Sequence, residues 1–145
     1  AIAAEAAEHF APAFQDSGIS LKTAVSGDLP DIMADTTRIG HVFDNLLSNS
    51  LKHTAAGGSV TISAQADETR VVFSVADTGT GIPHEYLNTI FDQFFRVPGQ
   101  HAQAGAGLGL AIARENARLL GGEITATNAE GGGARFVVTL PTADS

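Results

Sequence analysis

Apolar positions along this chain change their period several times, and each change marks an element. Ile2, Ala6, Phe10 and Phe14 recur every four residues in an Ala- and Glu-rich stretch, the face of a helix from Ile2 to Gln15. Pro12 would cost that helix a backbone hydrogen bond. Leu21, Thr23 and Val25 alternate as in a short strand, and residues 26–30 carry turn chemistry. Asp35 is placed to cap the clearest helix of the chain, from Arg38 to His53. Ile39, Val42, Phe43, Leu46, Leu47 and Leu51 there share one face, and the pattern stops before Ala55-Ala56-Gly57-Gly58. Two alternating runs, Ser59 to Ala66 and Arg70 to Ala76, flank a polar turn and predict a hairpin.

A loop follows from Asp77 to Pro83, and Pro83 suits the start of a short helix reaching Phe91. Residues 97–107 show no period, include Pro98 and are rich in small residues, which predicts a mobile loop. A helix restarts near Leu108, carries Leu110, Ala111, Ile112 and Leu119 as its apolar positions, and ends at Gly121-Gly122. Glu123 to Asn128 and Arg135 to Leu140 read as two closing strands around a glycine-rich turn.

Composition narrows the class. A length of 145 residues fits one domain. With 43% hydrophobic and 17% charged residues, the chain has enough apolar surface to offset its own entropy. The absence of cysteine excludes disulfides, a thiol nucleophile and thiolate metal sites. A formal charge of −8 disfavours nucleic acid as a partner. No apolar run reaches the roughly 18 residues of a membrane span, and no signal-peptide pattern opens the chain, so a soluble, intracellular domain is expected. The first residue is Ala1 rather than Met, which suggests a piece of a longer protein.

Four clusters carry chemistry. Asn45 and Asn49 lie one turn apart on the central helix, offset by about 40°, and Lys52 and His53 continue their stripe. Such a stripe is ordinarily a solvated helix face, but Asn is a mediocre helix former and its amide oxygen is a fit ligand for magnesium. Asp77 precedes Gly79 and Gly81; this is either an Asx turn or a carboxylate that accepts a hydrogen bond from an exocyclic amine, with glycines admitting a planar base. Phe91, Phe94 and Phe95 stand beside Arg96, as core residues or as a clasp for the loop after them, with Arg96 within reach of a terminal phosphate. Gly105, Gly107 and Gly109, interleaved with Ala106, Leu108 and Leu110, are either a hinge or a helix start that offers N–H groups to phosphate. That cluster lacks both the dinucleotide fingerprint and the Gly-Lys-Ser/Thr of a Walker loop.

In this order the four clusters resemble the ATP-binding catalytic domain of sensor histidine kinases, a family grouped with gyrase, heat-shock chaperone and mismatch-repair ATPases. The resemblance runs from about Leu21 to Pro141. It implies an α+β two-layer sandwich, a mixed sheet with about three helices on one face and a flexible lid over ATP. Residues 1–17 would be the helical connection from a dimerisation and phosphoacceptor domain, and residues 18–145 the catalytic domain.

The resemblance makes Asn49 the magnesium ligand, with Asn45 lining the same site. Lys52 would lie near the phosphates and His53, where the family often has tyrosine, near the nucleotide. Asp77 would bind the adenine amino group, with Gly79, Gly81 and Ile82 shaping the base pocket. Phe91 to Phe95, Phe94 included, would anchor the lid, Arg96 would lean toward the γ-phosphate, and Gly105, Gly107, Leu108, Gly109 and Leu110 would hinge the lid and meet the phosphates. ATP and magnesium are the implied cofactors. The implied partners are the dimerisation domain with its acceptor histidine and the receiver domain of a response regulator. This piece would be monomeric and the whole protein a homodimer, cytoplasmic here and membrane-anchored or not elsewhere.

Two further readings use the same fold. One is a serine kinase of the anti-sigma-factor type, against which the lid phenylalanines and Arg96 argue; the other is a docking module that binds nucleotide without transfer, which Ala106, standing where relatives carry a hydroxyl, leaves open. Asn45 occupies the place of the glutamate that activates water in hydrolytic members, and a neutral amide cannot be that base. None of His9, His41, His53, His84 and His101 suits the acceptor role. Around the expected phosphate site, residues 93–122 carry Arg96, Arg114 and Arg118 against Glu115 alone, a positive pocket in an acidic shell.

Overall fold

The computed structural model describes residues 2–25, 36–66, 69–79, 81–82, 85, 87, 89–91, 109–128 and 132–141. Along the chain run α1 (Ile2–Asp16), β1 (Ser20–Val25), α2 (Thr36–His53), β2 (Ser59–Ala66), β3 (Arg70–Asp77), a 3₁₀ turn (Thr89–Phe91), α3 (Gly109–Leu119), β4 (Glu123–Asn128) and β5 (Ala134–Pro141). The strands form one sheet in the order β1-β2-β3-β5-β4. β1 and β2 are parallel, joined through α2 as such pairs require, and every other pairing is antiparallel.

Alternation along the strands sets the architecture. Val60, Ile62 and Ala64 on β2, Val71, Phe73 and Val75 on β3, and Phe136, Val138 and Leu140 on β5 are buried on one face. The helices cover that face, α2 supplying Ile39, Val42, Phe43, Leu46 and Leu47, all at 2% exposure or less. Phe43 meets Phe73 edge to face, with ring centroids 5.2 Å apart. The expected two-layer α+β sandwich is the observed fold.

α1 joins the same core through Phe14, which is buried, and Phe10, which packs against it. It runs through Pro12, and the Glu8 that loses its carbonyl's partner, Ala11 and Pro12 are all exposed, so the missing bond falls on the open side of the helix. The helix expected from Pro83 to Phe91 is described only as the turn Thr89–Phe91, whose Ile90 and Phe91 are buried. The Asp35 cap and the 97–107 loop lie outside the described residues.

α3 departs from its sequence reading. Ile112 and Leu119, two of its expected apolar anchors, are exposed, whereas Ala113, Asn116 and Ala117 are buried. Small residues let α3 lie close against α2, and close approach gains more contact than large side chains held apart. Arg38 Nη1 donates to Asn116 Oδ1 at 3.1 Å, and Asn116 Nδ2 donates to the Ile112 carbonyl, so a satisfied polar brace ties the two helices. Urea denaturation checks this assignment: Leu119→Gln should change stability by less than about 0.5 kcal/mol, and Ala117→Leu should cost about 1–3 kcal/mol by overpacking.

Candidate functional site

The site is assembled where β3 ends beneath α2. Odd positions of β3 face the helices, so Asp77 continues the row of Val71, Phe73 and Val75 and turns a carboxylate into the layer between sheet and helices. It is 4% exposed. Its Oδ1 accepts two backbone N–H bonds, from Gly79 at 2.9 Å and from Ala134 at 3.1 Å. The Asx turn and the buried carboxylate, alternatives in the sequence, are thus both present. With Oδ1 committed, Oδ2 is the oxygen left for a donor, such as the amino group of a base. The loop past Asp77 is tied to the start of β2, where Thr78 N donates to the Ser59 carbonyl and Thr78 Oγ1 accepts from Ser59 N.

α2 forms one wall. Asn45 and Asn49 are half-buried, Lys52 is exposed and His53 half-buried. The Asn45 amide is oriented, since its Nδ2 donates to the His41 carbonyl at 2.9 Å. Its Oδ1 points at the start of α3, 3.4 Å from where a side chain on Gly109 would begin. Gly79 packs against the His53 carbonyl so closely that any side chain there would overlap it. Ile82 and Leu110 are partly buried and pack against the core. Gly79 thus meets the end of α2 and Gly109 faces Asn45, about two turns earlier on the same helix, while Phe94, Arg96, Gly105, Gly107 and Leu108 lie outside the described residues. Among the described residues no group of three or more acidic, histidine or cysteine side chains could hold a metal ion. An amide oxygen such as that of Asn49 is a hard donor of the kind magnesium accepts beside water and phosphate oxygens.

The electrostatics correct one expectation. Arg114 and Arg118 do not furnish a positive pocket: Glu123, just past the stretch considered, pairs with Arg114 at 3.3 Å and with Arg118 at 3.1 Å. Burial pushes the Glu123 carboxyl up, but the Ile124 N–H and the two arginines outweigh it and hold it below its usual value. Arg114 also stacks over Phe91, 5.2 Å from the ring centroid, and Phe91 meets Phe136 edge to face. Phe91 is thus a core residue. Two contributors escaped the sequence reading, Asn128 and the backbone of Gly133-Ala134; a lone Asn closing a strand before glycines was their one signal.

Of the four sequence clusters, the described residues thus include the amide stripe of α2, Asp77 with Gly79 and Gly81, Phe91, and Gly109 with Leu110. The profile of the histidine kinase-, DNA gyrase B-, and HSP90-like ATPase family matches residues 34–144. The chain belongs to this family. Among its relatives, the alginate biosynthesis sensor protein KinB of Pseudomonas aeruginosa is 36% identical over 137 residues, covering 94% of this chain and 23% of KinB. The catalytic domain of the histidine kinase ThkA superposes with a TM-score of 0.85 at 30% identity, covering 97% of this chain and 92% of that domain. ThkA in complex with the response regulator protein TrrA superposes at 0.80 and 27% identity, covering 99% of this chain and 40% of the ThkA chain. Full-length ShkA in complex with AMPPNP gives a TM-score of 0.86 at 36% identity, over 99% of this chain and 30% of ShkA. The chain spans about a fifth to a third of the curated relatives it matches. Among the described residues no helix is long and apolar enough to cross a membrane.

As a member of this ATPase family, the chain carries at the wall of its site a histidine with a shifted titration. Burial lowers the His53 pKa, the charge of Asp77 partly offsets this, and Lys52 lowers it further. A folded pKa below the unfolded value of about 6.5 means stability that is present above that pH and lost as pH falls through the folded value. Thermal midpoints should therefore drop as pH falls below about 6.5, and less steeply in His53→Gln. Equal slopes for the two proteins would count against a buried neutral imidazole.

Proposed function

We propose that this chain is the ATP-binding catalytic unit of a two-component sensor histidine kinase, one that holds Mg-ATP and yields its γ-phosphoryl group to a histidine on a separate dimerisation domain. The observation that carries the reading is Asp77, a buried carboxylate with one oxygen fixed by two N–H groups, at the end of the strand that packs beneath α2 and its Asn45 and Asn49. The names of the relatives support it, as do the AMPPNP bound to ShkA and the response regulator bound to ThkA.

On this reading the adenine amino group donates to Asp77 while Gly79, Gly81 and Ile82 shape the space for the ring. Asn49 holds magnesium, with Asn45 beside it; the ion supplies charge neutralisation on the phosphate chain. Lys52 and Arg96 face the phosphates, and Phe94 with Gly105, Gly107, Leu108, Gly109 and Leu110 forms the lid and its hinge. Transfer breaks the bond from the γ-phosphorus to the bridging oxygen, releases ADP and forms a phosphorus–nitrogen bond on the acceptor imidazole. Catalysis is then chiefly positioning and charge stabilisation. The neutral Asn45 amide cannot activate water, which protects bound ATP from hydrolysis until the acceptor arrives. Residues 1–17 connect to the dimerisation domain, residues 18–145 form the catalytic domain, and the whole protein works in the cytoplasm as a homodimer with a receiver domain downstream.

Titration calorimetry with a non-hydrolysable Mg-ATP analogue tests the binding step. Asn49→Ala and Asp77→Asn should each weaken affinity by at least about tenfold, since each removes a bond to a charged or metal-bound group. Incubated with ATP and the dimerisation domain of the same protein, the chain should form an acid-labile phosphoprotein. Unchanged affinity in both variants, or an acid-stable phosphoester, would count against the reading.

A further inference from the structure

Asn128 and Ala134 are the last registered pair of the β4–β5 hairpin, opposite one another across the two strands. Each reaches out of the hairpin to a different half of the Asp77–Ile82 loop. Asn128 Oδ1 accepts from Ile82 N at 2.7 Å, and Asn128 Nδ2 donates to the Ile82 carbonyl at 2.7 Å. One amide side chain thus reproduces both bonds of a β-bridge, although the residues are 46 positions apart. Across the hairpin, Ala134 N donates to Asp77 Oδ1, and Gly133, at φ 86°, lies so close to the Asp77 carbonyl that a side chain there would overlap it. Gly81 approaches the same clamp: a Cβ on it would lie 2.9 Å from Asn128 Oδ1.

We propose that this end of the hairpin is a specificity clamp, with Asn128 a positioning residue that sets which base the site accepts. The proposal rests on the nucleotide-binding reading above. Recognition of an adenine amine requires a carboxylate oxygen at a fixed distance from the walls that hold the ring. Asp77 is fixed by the Ala134 side of the clamp, and the Gly81-Ile82 wall is fixed by Asn128, so their spacing is a property of the hairpin register. A site built to accept an amine then rejects a 6-oxo purine, whose oxygen would face the carboxylate without a proton between them. With Asn128 truncated, Ile82 loses two bonds and the wall can retreat, which admits other bases.

The test compares Mg-ATP with Mg-ITP, whose hypoxanthine carries an oxo group in place of the amine, by calorimetric titration of the chain and its Asn128→Ala variant. The unaltered chain should prefer ATP, and that preference should fall roughly five- to tenfold in Asn128→Ala. Asn128→Asp, which retains the acceptor for Ile82 N and lacks the donor, should show a smaller loss of the same sign and carries the test if Asn128→Ala does not fold. An unchanged ATP-to-ITP ratio overturns the clamp while leaving nucleotide binding in place. Equal weakening toward both nucleotides also overturns it, because that marks a merely structural role. An unaltered chain that binds no Mg-ATP removes the underlying reading, and the clamp with it.

Discussion

The Asp77 carboxylate is the constraint around which this domain is arranged. A carboxylate 4% exposed would be costly without partners, and its Oδ1 receives two, one local from Gly79 and one from Ala134 on a strand 57 positions later. The distant bond exists only once β5 has paired with β3, so the site cannot form before the sheet closes. On the proposed reading, folding and ligand recognition thereby share a single group.

The rest of the architecture supplies rigidity on either side of that group. α2 is seated by five side chains at 2% exposure or less, which fixes the azimuth of Asn45 and Asn49 to within a helical turn. The brace from Arg38 to Asn116 fixes α3 against α2, and with it the approach of Gly109 to Asn45. Arg114 pairs with Glu123 and stacks on the Phe91 ring, and Arg118 pairs with Glu123, so both arginines tie α3 to the start of β4.

Legibility in the sequence followed the range of the interactions. α2 was readable because one face is wholly buried and its period is unbroken; the strands were readable because one sheet face is covered and the other is not. Asp77 was readable because the strand pattern ends on it and glycines follow. The face of α3 was misread, since Ile112 and Leu119 carry more apolar surface than Ala113 and Ala117, and only the proximity of α2 makes small residues the buried ones. The charge around the expected phosphate site was misread because Glu123 sits just beyond the helix whose arginines it pairs. Asn128 was missed because its partner is 46 positions away and nothing local marks a side chain that imitates a strand.

The central claim is that a carboxylate held by the Gly79 and Ala134 N–H groups is the base-recognition point of a nucleotide cleft. A crystal structure of this chain with magnesium and a non-hydrolysable ATP analogue tests it most directly. The account predicts the adenine amino group within hydrogen-bond reach of Asp77, both N–H bonds to Oδ1 retained, and magnesium on the Asn49 amide oxygen. A base seated elsewhere, or an Asp77 side chain turned away from Gly79 and Ala134 in the complex, would contradict it.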